Sequence, residues 1–281
     1  MKPEPELQAR LFPARAGIAW LRQSFTLLRA QSGRLFLMVV LLQFIMGLTQ
    51  IPFIGFFLVI SVPALSAGIL QAFQVTFEGG RPPLFLLFQP LSSGARSRRL
   101  LILGILMFAV GVLTVALLLP QTNAMLDPEL LSRIEQGDIE ALSSLDQDSL
   151  RRMVLAFLVG IGVSGTLSYM TIPLIWFHNR PLGSALVSGL RALFVNWKAF
   201  LVLALGMMAL LLPVSLVAGI LFALAESAGA FSVLVMALVM ILVLAFQLML
   251  FGTQFCAFRD IFGVDTTPVE TQPPDESQLL A

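Results

Sequence analysis

The sequence predicts an all-α fold: a polytopic membrane helical bundle with six transmembrane helices and amphipathic interfacial helices beside them. Three observations carry this. Hydrophobic residues fill 58% of the 281 positions and charged residues only 12%, about half the charge of an ordinary soluble globule. The mean hydropathy is +0.92. Charge-free runs recur at spanning length, and a helix of roughly 20 apolar residues crosses ~30 Å of hydrocarbon with its backbone satisfied internally.

Residues 1–16 read as a flexible segment, basic but without the continuous apolar core of a signal peptide, so the first apolar run is expected to stay in the mature chain. Over 17–31, Ile18, Leu21, Phe25 and Leu28 recur at helical spacing on one side and Arg15, Arg22, Thr26 and Arg29 on the other. This predicts a helix lying in the membrane interface, with Trp20, Arg22 and Arg29 as candidate lipid-headgroup contacts. The run 35–77 carries no charge but is twice too long for one crossing. Thr49, Gln50, Pro52 and Gly55 mark a reversal inside it, giving spans at 35–50 and 53–77.

Pro82-Pro83 and the apolar residues to Pro90 are too short to cross, so 83–90 is expected to be interfacial or re-entrant. A third span follows at 100–119. The loop 121–152 carries most of the remaining acids and reads as short helices, with Asp127 and Asp138 as N-caps. It is expected to be periplasmic, a connector or a docking site for a partner. The fourth span is 153–177. A second amphipathic stretch, 181–196, opposes Leu182, Leu186, Leu190 and Leu193 to Ser184, Ser188 and Arg191, and adds Arg191 and Lys198 to the candidate headgroup contacts. The last spans are 199–225 and 229–258, with Glu226 marking the turn between them. Residues 17–263 thus form one transmembrane domain, and the Pro-rich acidic tail 264–281 reads as disordered.

Fourteen of the seventeen basic residues flank one side of these spans, which puts both termini in the cytoplasm. Aligning Phe36 with Phe200 also aligns Arg34 with Lys198, Ser24 with Ser188 and Gly55 with Gly219, a hint of a repeated unit of one interfacial helix and two spans.

Chemistry-bearing residues are scarce: one His, one Cys and one Tyr. Cys256 has no disulfide partner. His178 sits in an aromatic and basic flank of the fourth span that explains it without catalysis. Nucleophile triads, zinc or haem ligand spacing and phosphate-cradling glycine motifs are all missing. No enzyme activity, cofactor or metal is therefore expected. A net charge of +1 gives no field for nucleic acid.

Polar residues within the spans are neutral, among them Gln43, Ser61, Gln71, Gln74, Tyr169, Gln247 and Gln254. Gln71, Gln74 and Glu78 share a helical face and form a candidate polar cleft; their alternative role is interhelical hydrogen bonding. Pro63, Pro173 and Pro213 interrupt spans, and Ala64 with Gly68, and Gly160 with Ser164, favour close helix approach.

The stretch 172–198, IPLIWFHNRPLGSALVSGLRALFVNWK, ends a span in Pro, continues through an Ala-Leu-x-Ser interfacial helix and opens the next span with Asn-Trp-Lys. With Gly17-Ile18-Ala19-Trp20-Leu21 and Pro63-Ala64-Leu65-Ser66-Ala67-Gly68, it resembles a family of proteobacterial six-span inner-membrane proteins of no assigned activity. More distantly it is similar to YciC-like membrane proteins and to the membrane domain attached to some glycerophosphodiester phosphodiesterases. The resemblance spans roughly 17–263 and implies a bacterial inner-membrane location, but it transfers no site residue.

The functional expectation is a non-enzymatic membrane scaffold or accessory protein that packs with lipids, another membrane protein or further copies of itself. The alternative is a facilitator or transporter for a small or amphiphilic solute, suggested by the proline-broken spans and the Gln71/Gln74/Glu78 face.

Overall fold

The computed structural model describes residues 9–51, 53–118, 147–227 and 229–263. In order, its helices are α1 (Ala16–Ala30), α2 (Ser32–Gly47), α3 (Ile54–Phe77), the single turn α4 (Gln89–Ser92), α5 (Ala95–Leu118), α6 (Gln147–Tyr169), α7 (Thr171–His178), α8 (Leu182–Val195), α9 (Trp197–Ser227) and α10 (Ser232–Phe262). Short 3-10 turns at Leu48–Gln50, Leu84–Leu87 and Gly229–Phe231 join them. No strand occurs among the described residues. Six helical stretches are long and apolar enough to cross a membrane: Ser32–Gln50, Ile54–Phe77, Ala95–Thr114, Val154–His178, Trp197–Ala225 and Ser232–Phe262. The chain is an all-α polytopic bundle and an integral membrane protein. Most of the expected loop 121–152 lies outside the described residues, as do the tail 264–281 and the first eight residues; α6 already begins at Gln147.

Both ends of the described chain meet at one end of the bundle, the basal end, where the Arg10 amide donates to the Ile261 carbonyl at 3.0 Å. Phe12 N–H donates to Asn196 Oδ1 at 2.8 Å, and Asn196 Nδ2 donates to the Arg10 and Ala192 carbonyls, each at 3.1 Å. A fully buried asparagine thus satisfies its amide by stitching the N-terminal segment to the junction of α8 and α9.

The core is confined to the basal half. It is built from Trp20, Leu35, Met38, Leu65, Ile69, Leu70, Phe73, Leu100, Leu103, Ile175, Phe255 and Phe258 with their neighbours. Farther from the basal end, α9 and α10 part from the other helices, while α3 and α5 stay in contact out to the Phe56 and Phe108 rings, whose centroids are 5.4 Å apart. Between Met208 and Leu224 of α9 no residue is buried, and Leu210, Val214, Ala218 and Leu221 alone are partly covered. The facing stretch of α10 shows one such stripe, Ser232, Val235, Val239 and Leu242, with burial resuming at Leu244. In this outer half, among the described residues, α9 and α10 pack on each other alone. Each is 31 residues long, about 46 Å at 1.5 Å per residue, more than a hydrocarbon core needs.

Glycines set the closest approaches. A β-carbon on Gly104 of α5 would collide with the Ile60 backbone of α3, and one on Gly55 with Thr49 across the first hairpin turn. Gly68 makes room for the backbone of Leu86 and Leu87; the small-residue step expected to seat a helix seats the Leu84–Leu87 3-10 turn instead. Gly160 faces Thr114 across the α5/α6 hairpin. Phe53 at the first turn holds φ 65°, a left-handed conformation unusual for a bulky residue.

Of the three prolines expected to interrupt spans, α3 and α9 run unbroken through Pro63 and Pro213. Only the fourth span breaks, between Tyr169 and Thr171. Glu226 lies in the last turn of α9, beside the expected reversal. The order of one short helix and two spans does recur as α1–α3 and α8–α10. The second hairpin is longer, however, so Gly219 falls inside α9 while its proposed counterpart Gly55 abuts a turn.

Candidate functional site

The first candidate site follows from α1, which was expected to lie loosely in the interface. Its packed face is Ala16, Gly17, Trp20 and Ser24. Gly17 abuts the backbone of Ala199 and Leu203 on α9, and Ser24 sits against Gly252 on α10, its hydroxyl donating to the Met249 carbonyl at 3.3 Å. The amphipathic division drawn from the sequence is corrected accordingly. Ile18 and Phe25 are exposed on the same side as Arg22 and Arg29, and the Arg29 guanidinium lies 4.3 Å from the Phe25 ring centroid. Helix α8 behaves alike: it buries Ala185, Gly189 and Ala192 and exposes Val187, Arg191 and Phe194, the last 73% accessible. Small residues, joined on α1 by Trp20, dock both helices on protein, and large apolar residues alternate with basic ones on their outer faces.

Trp20 is a further correction to the expected headgroup contacts. It is fully buried, packed against Phe200 at a centroid distance of 5.3 Å and Phe12 at 6.1 Å, and its indole N–H donates to Asp260 Oδ2 at 2.9 Å. The buried Trp20 therefore cannot meet a headgroup. Arg22, Arg29, Arg191 and Lys198 are exposed as expected of such contacts. Asp260 accepts from Arg259 Nη2 at 2.9 Å, which also donates to Gln23 Oε1 at 2.9 Å; the Arg259 guanidinium lies 4.3 Å from the Phe77 ring centroid. This cluster at the end of α10 locks α1, α3 and α10 together. Sequence reasoning missed it because Trp20 and Asp260 stand 240 residues apart.

The candidate cleft Gln71/Gln74/Glu78 is drawn together along the last two turns of α3 and beyond its end. Gln74 Nε2 donates to Glu78 Oε1, and Gln71 Oε1 accepts from the Trp176 indole at 2.7 Å. Gln74 is buried, Gln71 half-buried and Glu78 exposed. Two of the three therefore meet each other and the third ties α3 to α7. Trp176 in turn lies under the Arg96 guanidinium, 5.8 Å from its ring.

Where α6 gives way to α7, Pro173 lacks the N–H that would bond the Tyr169 carbonyl four residues earlier. Gln254 of α10 supplies the missing donor, its Nε2 reaching that carbonyl at 2.7 Å. At the other end of α7, Asn179 takes the left-handed C-cap conformation, φ 51°, which asparagine tolerates better than most residues. Arg99 Nη1 donates to the Asn179 carbonyl at 2.6 Å and to its side-chain oxygen at 2.9 Å. His178 Nε2 lies 3.0 Å from the Gly263 carbonyl and its ring packs on Phe258. Among the described residues no three His, Cys, Asp or Glu side chains converge as metal ligands.

No protein-family model, curated protein or solved structure matches this chain. The geometry of these residues is therefore the ground for any functional reading.

Proposed function

We propose that the protein is a non-enzymatic scaffold or accessory protein of a bacterial inner membrane, acting through helix packing with lipids and partner proteins, its basal end and both termini in the cytoplasm. One observation carries this reading: the buried core is concentrated in the basal half, and the outer halves of the spanning helices, those of α9 and α10 above all, offer broad lateral surface. A protein built to enclose a solute path would bury its polar groups around a channel. Here the amides of Gln71 and Gln254 are spent on holding helices together and that of Gln74 on the end of its own helix, which favours the packing role over a facilitator.

Lipid contact has a second support. Helices α1 and α8 contain no acidic residue, and each presents exposed apolar side chains next to Arg22 and Arg29 or Arg191 and Lys198. Such faces insert shallowly while their cations meet anionic headgroups.

Purification from native membranes in mild detergent tests the proposal. Retained phospholipid or a stoichiometric partner is expected, and replacing Arg22, Arg29, Arg191 and Lys198 with Gln should reduce the retained anionic lipid severalfold. Recovery of a monomer free of both lipid and partner would contradict it.

A further inference from the structure

The two exposed flanks of α2 differ in chemistry. One carries Leu37 and Phe44 and continues into Leu48 of the 3-10 turn that follows, all large, apolar and exposed, as a lipid-facing surface should be. The other runs Gly33, Phe36, Val40, Gln43 and Gly47, spaced alternately three and four residues apart, with Gln50 next in register in the 3-10 turn that follows. That is the seam spacing of helices paired in a left-handed coil. All but Phe36 are exposed, and a β-carbon on Gly33 or Gly47 would meet open space.

Gln43 is the anomaly on this flank. It lies nine residues past Arg34 and seven before Gln50, roughly 14 and 11 Å along the helix axis, beyond the reach of its side chain to either water layer. Among the described residues none hydrogen-bonds its amide. An amide left bare in hydrocarbon is costly. A carboxamide is also self-complementary, carrying a donor dipole and an acceptor dipole on one group, so a second Gln43 satisfies it and no charged or acceptor-only group is required. A two-fold axis along the membrane normal brings like seams together in parallel, which keeps both copies in the same topology.

From this polar complementarity we infer that the occupant of the flank is a second copy of this chain, paired through α2 with the two Gln43 amides hydrogen-bonded to each other at mid-membrane depth. The inference rests on the membrane-packing reading above and names one of its partners. Interhelical amide bonds in membranes contribute enough to shift association roughly tenfold.

Two measurements on the full chain test it, both read against a fold check by thermal unfolding. In dilute liposomes of neutral and anionic phospholipid, Gln43→Cys in a Cys256→Ala background should form an intermolecular disulfide on mild oxidation, while Phe44→Cys on the lipid-facing flank should not. Gln43→Leu should weaken the dimer about tenfold or more by single-molecule photobleaching, and Gln43→Asn should weaken it less. A folded Gln43→Leu protein that dimerises like the parent would overturn the inference. So would equal cross-linking at both cysteines, or rapid labelling at Gln43→Cys by a water-soluble maleimide, which would place water on this flank. A lipid-retaining monomer would also sink the dimer while leaving the scaffold proposal standing.

Discussion

At the scale of single residues, the bundle is organised by backbone groups and polar side chains that had to find partners away from water. The Tyr169 carbonyl released by Pro173 is one. Its donor, Gln254, lies 85 positions away, so the need was legible from the proline but the answer was not. Gln254→Leu should cost about 1 to 2 kcal/mol, since it removes the donor and leaves a buried carbonyl bare; a lowered unfolding midpoint in detergent titration checks this. Trp20→Phe preserves most of the buried ring and loses the rest of it together with the donor to Asp260. It should destabilise by about 1 kcal/mol, and Asp260→Leu by more, because Arg259 then loses its carboxylate as well. Equal effects of the two changes would indicate that ring packing, and not the hydrogen bond, holds α1.

At the scale of elements, the spans were legible because the bilayer demands long uninterrupted apolar runs, and the expected segments fall within a few residues of the observed helices. The faces of the short helices were not. Amphipathic periodicity weights large side chains, whereas α1 and α8 dock largely through alanine, glycine and serine, with Trp20 the one large side chain on the docked face of α1, and turn Ile18, Phe25, Val187 and Phe194 outward. Close approach, not side-chain bulk, decides which face meets protein when the solvent on the other side is itself apolar. The same physics separates two glycines that look alike in sequence. Gly104→Val should destabilise by roughly 1 to 3 kcal/mol, because its β-carbon meets the Ile60 backbone. Gly219→Ala meets nothing and should leave the unfolding midpoint unchanged or slightly raised. Thermal unfolding of the pair in one detergent measures the contrast.

At the scale of the whole molecule, the pattern is a tightly tied base beneath loosely joined hairpins. The base holds most of the cations that flank the spans and brings both described chain ends together, and the charge asymmetry that implied shared sidedness was readable from sequence alone. The split between the packed base and the separate outer halves was not readable, because a lipid-facing leucine and a core leucine contribute equally to hydropathy. Sidedness of the base underlies the functional proposal, since anionic-lipid contact by α1 and α8 and any cytoplasmic partner both depend on it. The most direct test is labelling in intact spheroplasts with a membrane-impermeant maleimide, in a Cys256→Ala background, of Ser93→Cys near the base and Gln136→Cys in the sequence between α5 and α6. The account expects Gln136→Cys to react and Ser93→Cys to react only after the membrane is opened; the reverse order, or reaction of both from outside, would contradict it.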